Sequence, residues 1–195
     1  LHRKESLFDV GDTIESFAIV LSGALKLVRP TIVGENIIVH IATTGELIGG
    51  LLLTQKNVKT YPISAIAMVP SRVLSVPRST FVNIWANEIL FQSKLTSIMY
   101  KRLHNLQDDK TFFSAPLKTR LIMLLTRYLD NSINEEMPRA LILPLTRQEL
   151  ADSLGVAVES VIRIMSEWSH QGLIRTNEKV IEIINFEELI KMTDV

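Results

Sequence analysis

Residues 145–174 read LTRQELADSLGVAVESVIRIMSEWSHQGLI, and this stretch decides the fold. Thr146 stands three residues before Glu149, the T-x-x-E spacing of a capping box, so a helix is expected to start there. Leu150, Ala151 and Leu154 follow at helical spacing, and Gly155 ends that helix. Val161, Ile164, Met165 and Trp168 then form a second apolar stripe at three- and four-residue steps, stopped by Gly172. Two short helices across a tight glycine-containing turn form a helix-turn-helix. In such a unit the second helix can lie in the DNA major groove, with its first residues facing base edges.

The surrounding segments complete this unit. Pro116, after Ser114-Ala115, suits the first turn of a new helix. LKTRLIMLLTRYL (117–129) is amphipathic, with Leu121, Leu124, Leu125 and Tyr128 on one side. A polar loop at 131–137 leads to a short strand at 140–145. Beyond the helix pair, 173–175 and 180–184 read as two strands around Asn177-Glu178-Lys179. A hairpin directly after the second helix is the wing of a winged helix. FEELIKM (186–192) reads as a last short helix.

The first 85 residues have a different texture. FAIVLSGALKLV (17–28), ENIIVHIA (35–42), ISAIAMV (63–69) and RVLSVP (72–77) are short apolar, β-branched runs. Turn signals recur at Gly11-Asp12, Gly34, Gly45-Glu46, Gly49-Gly50 and Pro70-Ser71. Many short strands at such spacing predict an antiparallel sandwich or jelly roll. From about Ser79 the period becomes helical. Phe81, Ile84 and Trp85 start a pattern that Leu90, Phe91, Leu95, Ile98, Met99, Leu103 and Leu106 carry to about Phe113. The stripe is wide enough for two contacts: one face for the strand domain, the other for a second copy of the chain, with Leu95, Ile98, Met99, Leu103 and Leu106 as the expected dimer-helix residues. The expected class is therefore α+β, with a jelly roll at 1–85, a long dimerisation helix at 86–113 and a winged helix-turn-helix at 114–195.

Composition bounds the function. The chain has 195 residues, is 47% hydrophobic and 22% charged, and carries a formal net charge of +0, so it is globular without an overall basic footprint for nucleic acid. It contains no cysteine, which excludes disulfides, thiolate zinc sites and cysteine-ligated iron–sulfur clusters within these residues. No apolar run approaches the roughly 18 residues of a membrane span, and no secretory signal is visible. A cytoplasmic protein with no membrane partner is expected. The chain opens as if inside a structured region, so its natural start is expected upstream of Leu1.

In this order of elements the chain resembles the cyclic AMP receptor protein/FNR superfamily of bacterial transcription regulators. The resemblance rests on LFDVGD (7–12), IVLSGALKL (19–27), GE (34–35) and GELIG (45–49) in the first half. In the second half it rests on 145–174. It implies an effector-sensing jelly roll, a dimerising helix, and a winged helix that binds double-stranded DNA at a palindromic site as a homodimer. RNA polymerase is a further partner of such regulators.

Glu159 and Arg163, four apart on one helical face, match the family's base-reading pair. A glutamate can accept from cytosine N4, and an arginine can bind guanine O6 and N7 bidentately. The bland alternative is a surface ion pair worth about 0.2–0.5 kcal/mol. Val158 stands where the cyclic AMP receptor protein has another base-reading arginine. V-E-x-x-x-R resembles the FNR branch, whose half-sites centre on TGA. Ile162 departs from both branches, which use a small residue; it can meet a thymine methyl or crowd the groove. Ala157 falls at the N-cap, where the family often has Ser or Thr. Arg147 and Gln148 match family phosphate contacts, and Lys179 in the wing can add another.

The effector side departs from the family pattern. The family's cyclic nucleotide cassette holds the ribose with a glutamate and the phosphate with an Arg-Ser pair. Here 45–67 reads GELIGGLLLTQKNVKTYPISAIA, which puts Gly50, between the further pocket candidates Gly49 and Leu51, at the glutamate position and, by the spacing back from Phe81, Tyr61-Pro62 at the Arg-Ser positions. A cyclic phosphate needs a cation and donors, and proline offers no N–H. Cyclic AMP is therefore not the expected effector. His104, on the long helix, is a candidate haem ligand, set against a small organic ligand in an apolar pocket, or none. A cyclic-nucleotide- or haem-responsive regulator is the alternative within the family.

Two other classes compete. Cupin enzymes share the jelly roll, but their metal sites need several His and carboxylates, and the strand domain has only His2 and His40. No Ser-His-Asp spacing or phosphate-binding glycine loop appears, so neither catalysis nor a metal site is expected. A ligand-binding regulatory module without DNA function is the other rival.

Overall fold

The computed structural model describes residues 1–31, 36–53, 57–84, 87–128, 139–140, 145–177 and 180–193, with the backbone alone at 51, 53, 82, 101–113, 139–140, 177 and 180. Two units result, Leu1–Lys110 and Thr111–Val195.

The first unit is built from antiparallel strands. β1 (Ser6–Phe8), β6 (Ser64–Ala67), β3 (Ala24–Pro30) and β4 (Asn36–Thr43) form one sheet in that order. β5 (Leu47–Ile48), β2 (Ser16–Ser22) and β7 (Arg72–Pro77) form the other, and a single helical turn, α1 (Gly50–Leu53), follows β5. The apolar run 17–28 is thus two strands in two different sheets. Gly23 makes the crossing at φ +85°, and a Cβ there would collide with the Pro70 carbonyl and Ser71. Phe17, Val20, Leu25, Leu27, Ile48 and Val76 fill the space between the sheets. This is the expected jelly-roll architecture. The expected Gly34-Glu35 turn lies outside the described residues.

The helical pattern after Ser79 is corrected by the structure. Instead of one helix there are two, α2 (Arg78–Asn83) and α3 (Ile89–Ser114). Ile84 caps α2 with 56% of its surface exposed, so it never belonged to a buried stripe. Asn87 follows, a residue type that favours caps and turns over helix interiors. Phe91, Leu95 and Ile98 turn α3 towards the strand core, where Phe91 meets Phe81 edge-on at 5.7 Å. Leu95 and Ile98 were expected on a dimer face; they serve their own domain's core instead. Met99 and Tyr100 are exposed at 55% and 69%. Leu103, Leu106 and His104 lie on the α3 backbone, but their side chains fall outside the described residues.

The second unit follows the sequence closely. α4 (Leu117–Arg127) starts after Pro116 and buries Leu121, Ile122, Leu124 and Leu125. α5 (Arg147–Leu154) carries the full capping box. The Glu149 N–H donates to the Thr146 hydroxyl at 3.1 Å, and the Thr146 N–H donates to the Glu149 carboxylate at 3.0 Å. Gly155 closes α5 in the left-handed region at φ +63°. α6 (Val158–His170) buries Val161, Ile164, Met165 and Trp168, the stripe predicted from spacing. A three-stranded sheet, β8 (Arg139–Ala140), β10 (Val180–Ile183) and β9 (Ile174–Asn177), contains the wing hairpin. α7 (Phe186–Lys191) ends the unit. The rest of the strand expected at 140–145 lies largely outside the described residues.

Thr146→Ala removes the acceptor for the Glu149 N–H. The helical unit is expected to lose about 0.5–2 kcal/mol, read as a lower urea midpoint for its transition by circular dichroism.

Candidate nucleic-acid interface and effector cavity

Burial of the α6 stripe fixes what α6 shows to solvent. Glu159, Ile162, Arg163 and Ser166 are exposed, and Val158 is half-buried beside them. Among the described residues neither Glu159 nor Arg163 makes a side-chain hydrogen bond or ion pair, so the pair do not brace each other. Ala157 is the N-cap and offers no side-chain acceptor; the Ser160 N–H donates to the Ala157 carbonyl at 3.1 Å, and no side chain caps the Val158 and Glu159 N–H groups ahead of it. Across the helix, Glu167 pairs with Lys118 of α4 at 2.6 Å. The Arg120 guanidinium donates to the Leu154 carbonyl, tying α4 to the end of α5.

The expected phosphate contacts are held differently. Arg147 is half-buried and donates to the Thr176 hydroxyl of β9 at 3.3 Å, so the start of α5 and the wing are joined. Gln148 is exposed and donates to Asp152 at 2.7 Å. Lys179 lies outside the described residues. Thr176 has no signal in the linear sequence; only the hairpin register brings it to Arg147.

In the first unit the structure brings two of the expected effector residues together: a Cβ at Gly49 would lie 3.3 Å from the Tyr61 ring. A groove of about 410 Å³ is lined by Phe8, Asp12, Glu15, Ser16, Tyr61 and Ser75 among others. Of the residues expected at an effector site, Tyr61 lines it; Gly49, Gly50 and Pro62 do not. The Leu51 side chain is outside the described residues. Tyr61 is buried, stacks on Phe8 with ring centroids 3.7 Å apart, and donates its hydroxyl to the Ser16 carbonyl. Its one donor is therefore already committed. Pro62 is exposed. A Cβ at Gly50 would run into the Leu47 side chain, so a carboxylate-bearing residue fits there only if Leu47 moves. Asp12 and Glu15 add negative charge at the groove. This donor set does not fit a cyclic nucleotide, whose phosphate needs a cation and donors. Asp12, Glu15, Ser16 and Ser75 were not singled out from sequence, because loop and strand residues far apart in the chain carry no shared pattern.

The turn into β5 holds one buttressed carboxylate. His40 of β4 meets Glu46 at 2.6 Å, and the Thr43 hydroxyl donates to the same carboxylate at 3.2 Å. Burial pushes the Glu46 carboxyl up, but the hydrogen bond and charge of His40, with the Thr43 bonds, outweigh it and hold it below the usual carboxylate range.

Comparison with known proteins agrees with this geometry. Residues 1–88 match the model of the cyclic nucleotide-binding domain, and residues 119–192 that of the Crp-like helix-turn-helix domain. Over 194 residues the chain is 28% identical to the transcriptional activator Anr of Pseudomonas aeruginosa, covering 97% of this chain and 77% of Anr. It is 22% identical over 197 residues to the fumarate and nitrate reduction regulatory protein of Escherichia coli, covering 98% and 76%. In fold it is similar to FixK2 of Bradyrhizobium japonicum, with a TM-score of 0.81 at 19% identity over 100% of this chain and 95% of FixK2. A CRP-family transcriptional regulator of Thermus thermophilus also gives 0.81, at 16% identity, covering 100% and 96%. These matches define a DNA-binding transcription regulator, not an enzyme, with a jelly roll followed by a winged helix. The chain belongs to the Crp/FNR family, on the FNR side of it.

A depressed Glu46 contributes stability above its unfolded value, near 4.5, and that contribution is lost as pH falls through the folded value. Glu46→Gln is therefore expected to flatten the acid limb of the strand domain's stability below about pH 4.5, while the wild-type chain steepens there. Thermal unfolding followed from pH 3 to 7 checks this.

Proposed function

We propose that the chain acts as a homodimer on a palindromic DNA site with TGA-like half-site cores. Residues 1–85 sense an effector other than cyclic AMP, or none; 86–113 dimerise; 114–195 read DNA. The observation that carries this reading is the α6 surface. Glu159 and Arg163 stand side by side, exposed and unpaired, on the face opposite the buried stripe. A stable protein gains little from leaving two opposite charges four residues apart uncoupled. A base-reading helix needs both free, one as acceptor for cytosine N4 and one as bidentate donor to guanine. Val158 and Ile162 complete the face.

Arg147, Gln148 and Lys179 are assigned to phosphates. Arg147 suits this role because its partner, the Thr176 hydroxyl, is neutral and leaves its charge uncompensated. Two half-sites about 34–36 Å apart are implied by a paired reader. Dimerisation is assigned to α3, where Met99 is exposed, with Leu103 and Leu106 further along the same helix as the sequence expects. A cytoplasmic location follows from the family's role, and RNA polymerase is the partner through which such a regulator acts.

The test is fluorescence anisotropy on duplexes carrying paired TGA half-sites, at several salt concentrations. Selective, salt-sensitive binding by a dimer is expected; binding indifferent to the half-site sequence would overturn the reading. Arg163→Ala is expected to cost about 1–3 kcal/mol and to relax preference at one base pair per half-site. An equal loss on every sequence would make Arg163 a phosphate contact instead. Adding cyclic AMP is expected to leave the affinity unchanged, since Tyr61 and Pro62 offer the phosphate neither charge nor a free donor.

A further inference from the structure

Ile162 is the anomaly on the reading face. It is a large apolar side chain with 42% of its surface exposed, at the margin of the reading face, roughly 60° around the helix from the buried Met165. Isoleucine is no better than an average helix former, so its place at an exposed position is not explained by local propensity. At 3.6 residues per turn it sits roughly 60° around the helix from Glu159 and roughly 100° from Arg163. It lies about 4.5 Å further along the axis than Glu159, a little more than one base-pair step. Val158, one turn back and half-buried, continues it. The face thus carries two parallel strips, a charged one (Glu159, Arg163) and an apolar one (Val158, Ile162).

We infer that Ile162 reads the C5-methyl group of a pyrimidine at the base pair next to the one Glu159 contacts. This rests on the proposed DNA-reading role of α6. The major-groove floor is polar except for that methyl, which thymine carries and cytosine lacks. An apolar side chain beside that charged strip has no hydrogen bond to give, so its contribution to choice between bases is methyl burial. Ring geometry adds a consequence: 5-methylcytosine presents the same methyl at the same position. The reader should therefore respond to cytosine methylation wherever its site has a cytosine there. Burying one methyl is worth about 0.8 kcal/mol, close to fourfold in affinity per half-site.

The experiment uses the full chain and duplexes with paired TGA half-sites in which each thymine in turn is replaced by uracil. That exchange removes the methyl and leaves every hydrogen-bonding group in place. The expected result is one position per half-site where uracil weakens binding about fourfold, and where Ile162→Ala abolishes the difference. With cytosine at that position, 5-methylcytosine should bind about fourfold tighter than cytosine. Selective binding with no uracil-sensitive position overturns the inference and leaves the DNA-reading role standing. A uracil effect that persists in Ile162→Ala moves the methyl contact to another residue and also overturns it. Tighter binding by Ile162→Ala on every duplex would mean that the side chain crowds the groove, a third way for it to fail. No sequence-selective binding by the wild-type chain would remove both claims together.

Discussion

The burial of four side chains on α6 governs the output half of this protein. Val161, Ile164, Met165 and Trp168 are sealed within the winged-helix core, where α6 packs on α5 and the wing strand β9, and Trp168 is entirely inaccessible. A helix that buries one stripe so fully has no rotational freedom about its own axis. Glu159, Ile162 and Arg163 must then face solvent, whatever their own chemistry prefers. Gly155 makes this arrangement reachable, since its left-handed backbone ends α5 and lets α6 leave at an angle. The capping box at Thr146 and Glu149 fixes the other end of α5. Arg147 joins this frame to the wing through Thr176, so the phosphate-facing and base-facing groups rest on one scaffold.

This is also why the second half was legible in the sequence. Capping, glycine termination and three-to-four periodicity are local signals, each readable within about ten residues, and all of them act in residues 145–174. The family pair Glu159 and Arg163 sits on the surface that those local rules leave over. Thr176 was illegible because its role depends on register across a hairpin and on a contact 29 residues away.

The strand domain reverses that balance. Its turns are marked by glycines, so its class could be read, but its contacts are long-range. Tyr61 and Ser16 are 45 residues apart, and Ser71 closes the β2–β3 crossing from 47 residues beyond Ala24. Nothing local told Tyr61, set by spacing at a ligand-binding position, from Tyr61 as a core aromatic stacked on Phe8. The helix after Ser79 failed for a related reason. Apolar residues at helical intervals appear on both sides of Ile84, and periodicity alone does not show that the chain breaks between them. Leu95 and Ile98 continue that ambiguity: a wide stripe has two faces, and only packing shows which one the domain itself consumes.

Charge poses the hardest question for a DNA reader of this composition, since acidic residues outnumber basic ones from Lys118 to the end. Many of those carboxylates are engaged within the domain. Glu149 closes its capping box, Asp152 accepts from Gln148, Glu167 pairs with Lys118, Glu182 faces Arg175 at 4.0 Å, and Glu188 meets Lys191 at 3.2 Å. A carboxylate next to a cation contributes little field beyond the pair. Exposed charges further than about 8 Å are screened at physiological salt. What a phosphate or a base meets is then the local set, in which Arg163 has no carboxylate bound to it and Arg147 holds only a hydroxyl. A neutral total with free arginines at the contact weakens attraction to DNA at large and leaves contact at the bases comparatively intact. Affinity in such a protein is concentrated in the geometry of a few side chains, and selectivity comes at the expense of non-specific hold.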